Sequence, residues 1–176
     1  VGVLNSDGAL NLPDFRSSEN VFQLITQVSG RSGRGDLKGE VIIQTCLKDH
    51  PIFKYASQED YPSFFEEEME HRKLFEFPPF SRLAKLTFTG KNAAHTLKAA
   101  QTFHHILLQK LPQTFHIYPA IPSGYAKIKD NFRFKLLIKG KNPLLFSQLL
   151  KEVQNTTPLP RNIRLLIDID PLSTFS

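Results

Sequence analysis

Apolar and polar positions follow two rhythms along this chain. The run Val1-Gly2-Val3-Leu4 predicts a short strand, and a polar loop follows through Pro13. From about Ser18 to Val28, apolar Val21, Phe22, Leu24, Ile25 and Val28 recur at helical spacing, and Ser17 or Ser18 is placed to accept a backbone N–H at the N-terminus. A Gly/Arg segment then leads to the apolar pattern Glu40 to Thr45, read as a strand. Strand, helix and strand give this first stretch an α/β pattern. A second helix is predicted from about Pro62 to Phe75, with proline in its first turn. Glu66, Glu67, Glu68 and Glu70 stand toward its start and middle, and His71, Arg72 and Lys73 near its end, an order that complements the helix dipole. Pro78-Pro79 stops it.

Beyond the prolines the pattern predicts strand Arg82 to Thr89, helix Ala93 to Leu111, strand Phe115 to Tyr118, a loop, strand Phe132 to Lys139, helix Pro143 to Gln154 and strand Ile163 to Ile169. This β-α-β-β-α-β order matches a split βαβ, ferredoxin-like arrangement, in which two helices cover one face of an antiparallel sheet and leave the other available. The fold class expected is therefore α/β followed by α+β. Three regions follow: 1–50, a connecting helical segment 51–79, and 80–176. The start at Val1, without Met and already inside a strand pattern, suggests a piece of a longer protein.

Composition changes the picture little, and charge changes it a great deal. The 176 residues are 40% hydrophobic and 22% charged, an ordinary globular composition. No apolar run approaches the roughly 18 residues that span a bilayer, and no signal pattern opens the chain, so no membrane partner is expected. The single Cys46 excludes a disulfide framework or a cysteine zinc site within the chain, and at the end of an apolar run it is expected to be a buried, inert thiol. The six histidines form no ligand cluster with carboxylates at helical spacing, and no metal is predicted. Residues 1–76 hold 8 Lys and Arg against 13 Asp and Glu, whereas residues 77–176 hold 14 against 4. Such a split predicts two modules with different partners, the basic one suited to a polyanion.

Candidate chemistry sits in two places. If the first helix continues past Val28, Gln27, Arg31 and Arg34 fall at i, i+4 and i+7, aiming one amide and two guanidiniums at one spot. Guanidiniums bind phosphate oxygens bidentately and neutralise charge on a transferred phosphoryl group, and Gly30 permits close backbone approach. The alternative is a solvated Gly/Arg turn. No P-loop pattern exists in the chain, so this would be half a nucleotide site. The second place is residues 127–141, with six basic side chains, Lys127, Lys129, Arg133, Lys135, Lys139 and Lys141, and one acid, Asp130. Strand parity puts Arg133, Lys135 and Lys139 on one face with Leu137, and Phe132, Phe134, Leu136 and Ile138 on the other. Phosphate contact by the basic face is expected, with Arg133 and Lys135 in the strongest positions and neither needing burial, the alternative being a solvated basic face with no ligand. Tyr125 is the candidate for stacking on a base. Asp168 and Asp170 share a strand face and read as a strand-end charge pair beside the basic patch rather than as metal ligands.

The segment Gln27 to Arg34 resembles the QxxGRxGR motif VI of superfamily-two helicases, and Asn5-Ser6-Asp7 with Pro13-Asp14-Phe15-Arg16 resembles the segment just before it. More specifically, the chain resembles the PriA family of bacterial primosomal helicases. The likeness continues through Gly39 to Thr45, Asp60-Tyr61, Phe64 to Glu68, Phe77 to Leu83, Leu136 to Gly140 and Asp168 to Pro171, and is weak between Gly90 and Phe132. It implies the C-terminal part of an ATP- and Mg²⁺-dependent 3′ to 5′ DNA helicase of the bacterial cytoplasm, acting in replication restart and primosome assembly. Residues 1–50 would then end a second RecA-like lobe, with motifs V and VI, and contribute Gln27, Gly30, Arg31 and Arg34 to the ATP site. Residues 80–176 would be the family's C-terminal domain, which resembles a small-subunit ribosomal protein. Implied partners are branched and single-stranded DNA, the single-stranded-DNA-binding protein and other primosome proteins, and the family's zinc would sit upstream of Val1. The rival readings are a stand-alone nucleic-acid-binding or ribosome-associated module without nucleotide chemistry and, more weakly, a metal-dependent nuclease, for which the chain offers no convincing carboxylate cluster.

Overall fold

In the computed structural model, which describes residues 1–32 and 40–175, strand β1 (Gly2–Val3) pairs in parallel with β2 (Ile42–Ile43). Between them lie α1 (Ser6–Leu10) and α2 (Ser17–Ser32). Helix α1 falls in a stretch read as loop; the Asn5 side chain starts it by accepting from the Gly8 N–H at 3.3 Å. Asp7 ties this helix to the end of β2, accepting from the Thr45 hydroxyl and from the Cys46 N–H. Those hydrogen bonds hold its carboxyl below the usual carboxylate range. The strand stops at Ile43, so Cys46 lies beyond it and is exposed, which corrects the expectation of a buried thiol.

Two further helices, α3 (Pro51–Ser57) and α4 (Tyr61–Leu74), complete the first unit, Val1–Leu74. Residues 51–74, read from the sequence as a connector, thus pack into this unit. Its core joins Val21, Phe22 and Ile25 of α2 to Ile52, Phe53 and Ala56 of α3 and Phe64 of α4. The Phe22 and Phe64 rings stack at 4.3 Å with 6° between their planes. Arg16, Glu19, Arg72 and Glu68 form an ion chain beside them, with contacts of 2.8, 2.9 and 2.7 Å.

The second unit, Phe75–Ser176, is built on β3 (Arg82–Gly90), α5 (Ala93–Lys110), β4 (His116–Ile117), β5 (Ile121–Ile128), β6 (Asn131–Gly140), α6 (Pro143–Thr156) and β7 (Ile163–Ile169). The strand order is β4-β6-β3-β7, with β5 also on β6, and every pairing is antiparallel. Strands β3 and β6 keep unbroken register from Arg82↔Gly140 to Gly90↔Phe132. Asn92 and Asn142 cap the two helices, accepting from the N–H groups of His95 and Leu145. The helices bury Phe103, Leu107, Phe146 and Leu150 against Leu86, Phe88, Leu136 and Ile138 of one sheet face. Gly140 is required here: a Cβ would collide with the Phe115 ring, which lies over the strand end and stacks on Phe146.

Strand β5 replaces a predicted loop. Its hairpin to β6 turns on Lys129 and Asp130, both with positive φ (45° and 59°), as a two-residue primed turn requires. That turn usually announces itself by Asn-Gly or Asp-Gly, and here the pair is Lys-Asp, with no glycine.

Candidate nucleic-acid interface

Side chains that pair directly across strands share a face, so the register defines the sheet surface that the helices leave uncovered. On it, Arg133, Lys135, Leu137 and Lys139 of β6 stand beside Thr89, Thr87, Lys85 and Leu83 of β3, and Arg164, Leu166 and Asp168 of β7 continue the rows. The parity expected from the sequence holds, but the exposure does not.

Lys135 is only 4% exposed. Its Nζ donates to the carbonyl oxygens of Thr174 at 2.6 Å and Phe175 at 2.9 Å and lies 5.8 Å from the Phe175 ring centre. Lys85, 7% exposed, donates to the Ser173 carbonyl at 2.8 Å, with Asp168 at 3.9 Å. Lys139, also 7% exposed, donates to the Phe75 carbonyl at 2.6 Å and sits 4.2 Å from the centre of the Phe77 ring. An ammonium taken out of water must find acceptors, and here two chain segments crossing the sheet supply them. The expectation that Lys135 needs no burial and stands free in solvent is thereby corrected. The cause is remote: Thr174 and Phe175 lie about forty residues away in sequence.

The other basic residues divide. Lys127 lies 3.2 Å from Asp130 and over the Phe132 ring, and Lys141 lies 2.6 Å from Glu76. The hydrogen bond from Lys141 holds the Glu76 carboxyl below its ordinary range. Lys129, at the hairpin tip, and Arg133 have no ion pair among the described residues. Tyr125 is on β5 rather than in a loop, 60% exposed, with its ring edge-on to Phe175 at 5.9 Å. Gly124 makes room for that ring, since a Cβ there would come within 2.6 Å of it. Asp168 and Asp170 are held separately, Asp170 by Arg82 at 2.6 Å and by the Leu83 N–H. Among the described residues no three His, Cys, Asp or Glu side chains gather as a metal cage. Nor is any described helix long and apolar enough to cross a membrane.

In the first unit, α2 continues to Ser32 and carries Gln27, Gly30 and Arg31 on its last turns. Gln27 and Arg31 are exposed and four residues apart, which puts them on one side of the helix. A Cβ on Gly30 would meet nothing within 4 Å, so no described neighbour demands glycine there. Arg34 lies outside the described residues.

A family model described as the primosomal protein N C-terminal domain matches residues 73–172. The chain is 43% identical to the replication restart protein PriA of Chlamydia pneumoniae over 173 residues, 98% of this chain and 23% of that protein. It is 36% identical to the protein of that name from Synechocystis over 173 residues, 98% of this chain and 21% of the relative. With the Bacillus subtilis protein of that name it shares 39% identity over 153 residues, 87% of this chain and 19% of the relative. The chain thus spans less than a quarter of the length of these relatives.

Proposed function

The chain belongs to the family of the replication restart protein PriA, and from that premise we propose that it is the C-terminal part of an ATP-dependent 3′ to 5′ DNA helicase that restarts replication. In this reading the first unit ends a RecA-like lobe and lends half a nucleotide site. The parallel β1–β2 pair with helices between its strands supports that assignment. The second unit is a split βαβ, ferredoxin-like DNA- and partner-binding domain, supported by the antiparallel order β4-β6-β3-β7. Its partners are branched and single-stranded DNA, the single-stranded-DNA-binding protein and primosome proteins, in the bacterial cytoplasm.

The observation that carries the nucleotide reading is the C-terminal part of α2, where exposed Gln27 and Arg31 share a side. ATP with Mg²⁺ supplies the transferable phosphoryl group. The role of Arg31 and Arg34 is to meet negative charge on it, and that of Gln27 is to orient the phosphate by its amide. The P-loop lysine and the Mg²⁺ ligands lie on another part of the protein. In the full-length protein, Arg31→Ala should lower ATP turnover by roughly 10³-fold while leaving the fold intact. Normal turnover by that variant removes the assignment.

A further inference from the structure

Residues 77–176 contain four acidic side chains, and the second unit engages all of them internally: Asp130 with Lys127, Glu152 with Lys110, Asp168 with Lys85 and Asp170 with Arg82. Lys135 and Lys139 spend their charge on backbone carbonyls. The remaining cations are not spread evenly. Lys91, Arg161 and Arg164 are exposed, and among the described residues their side chains take part in no hydrogen bond or ion pair. All three line one open hollow of about 610 Å³ where β3 ends and β7 begins, together with Thr89, Asn131 and Asn162. Arg133 adjoins it, because Thr89 is the register partner of Arg133 on one side and of Arg164 on the other. Two strand spacings put the backbones of these arginines roughly 10 Å apart on one face.

Here three cations line one hollow, with Arg133 across from its Thr89, beside two side-chain amides and a hydroxyl and with no acid in the lining. We propose that this hollow binds the phosphodiester backbone of DNA, Arg133, Arg161, Arg164 and Lys91 reaching the phosphates of neighbouring nucleotides. The inference rests on the DNA-binding reading of the second unit and moves its main contact from the centre of the sheet to this end. Three of the four cations are guanidiniums, whose planar fork matches two phosphate oxygens at once. An acidic peptide is the poorer fit: the lining has no exposed apolar side chain to seat a hydrophobic anchor, Ile163 being buried. Neither Arg161 nor Lys91 belongs to the basic run 127–141. Only the strand register brings the two sets together.

The test uses the 176-residue chain and a fluorescent oligothymidylate, with binding followed by anisotropy across a salt series. The triple variant K91Q/R161Q/R164Q should bind roughly tenfold or more weakly at about 0.1 M salt, and its slope of log K against log salt should shrink by about two. K98Q/K110Q/K151Q, which removes the same charge from the helices, should change affinity less than about twofold. Single R161Q and R164Q variants, both exposed sites, should each lower the slope by about 0.7, which reads the site even if the triple variant melts early. An oligonucleotide with an uncharged methylphosphonate backbone should no longer distinguish wild type from triple variant. Equal losses in the two triple variants would mean attraction by net charge alone and overturn the site. If K127Q/K129Q abolishes binding while K91Q/R161Q/R164Q binds normally, this site is wrong but the DNA reading of the unit stands. Failure of the wild-type chain to bind the oligonucleotide overturns both.

Discussion

An ammonium group buried beneath a crossing chain is stable only while the carbonyl oxygens around it stay in place. Lys135→Met keeps much of the side chain's volume but strands the Thr174 and Phe175 carbonyls. It should cost the second unit about 1–3 kcal/mol in chemical denaturation and speed removal of the last residues by carboxypeptidase. Arg133→Gln, two residues away on the same face, should stay within about 0.5 kcal/mol of wild type. Equal stability in both variants would contradict the structural role given to Lys135. Glu19 poses a titration question. Hydrogen bonds from Arg16 and then Arg72 hold its carboxyl below its ordinary 4.5, against the opposing effect of burial. A depressed folded-state value means that the stabilisation is complete above the unfolded-state value and is lost as pH falls through the lower, folded one. Unfolding of the first unit should therefore lose part of its acid sensitivity below about pH 4.5 in Glu19→Gln. Because the chain of ions is partly solvated, the effect at neutral pH should be no more than about 1 kcal/mol. A variant with an unchanged pH profile would remove Glu19 from that account.

Elements were legible where periodicity was strong. Strand β7 and helices α5 and α6 fall close to their predicted bounds, because apolar positions there repeat at the period of one face and asparagine caps mark both helix starts. Strand β5 was hidden for the opposite reason. Apart from Ser123 its residues are exposed or nearly so, and Pro122 and Gly124 carry the marks of a loop. Helices α1 and α3 are five and seven residues long, below the length at which a period can be recognised, and depend on caps from Asn5 and His50. The shared helix side of Gln27 and Arg31 was legible as spacing, since the pair needs only a continuing helix. The hollow at the sheet end was not, because Lys91, Arg133 and Arg164 meet only once three strands are in register. Among the helices, α4 makes its strongest commitment through Phe64, buried and stacked on Phe22. Phe64→Ala should cost the first unit about 3–5 kcal/mol, read as an earlier melting transition. A loss below about 1 kcal/mol would mean that α4 is not part of that core.

At the scale of the whole chain, the distribution of charge decides behaviour. A surplus of acid in residues 1–76 and of base in residues 77–176 should make DNA binding by this chain fall steeply with salt, each phosphate met adding about 0.7 to 0.9 to the slope. The same chain should not turn over ATP, because arginines without a P-loop supply only part of a site. Steady phosphate release by the purified 176-residue chain would overturn that reading. The segment that ends in Phe175 has a consequence of another kind. It reaches back across the sheet to quench Lys85 and Lys135, which were laid down some forty to ninety residues earlier. A molecule clipped just before Ser173 would keep its core, yet it would uncover the Lys135 ammonium and strip Lys85 of its Ser173 acceptor, leaving Asp168 beside it. Damage too small to unfold the protein would then show itself as stickiness: the trimmed form should cling to any polyanion it met, and a heparin column would sort it from its intact siblings.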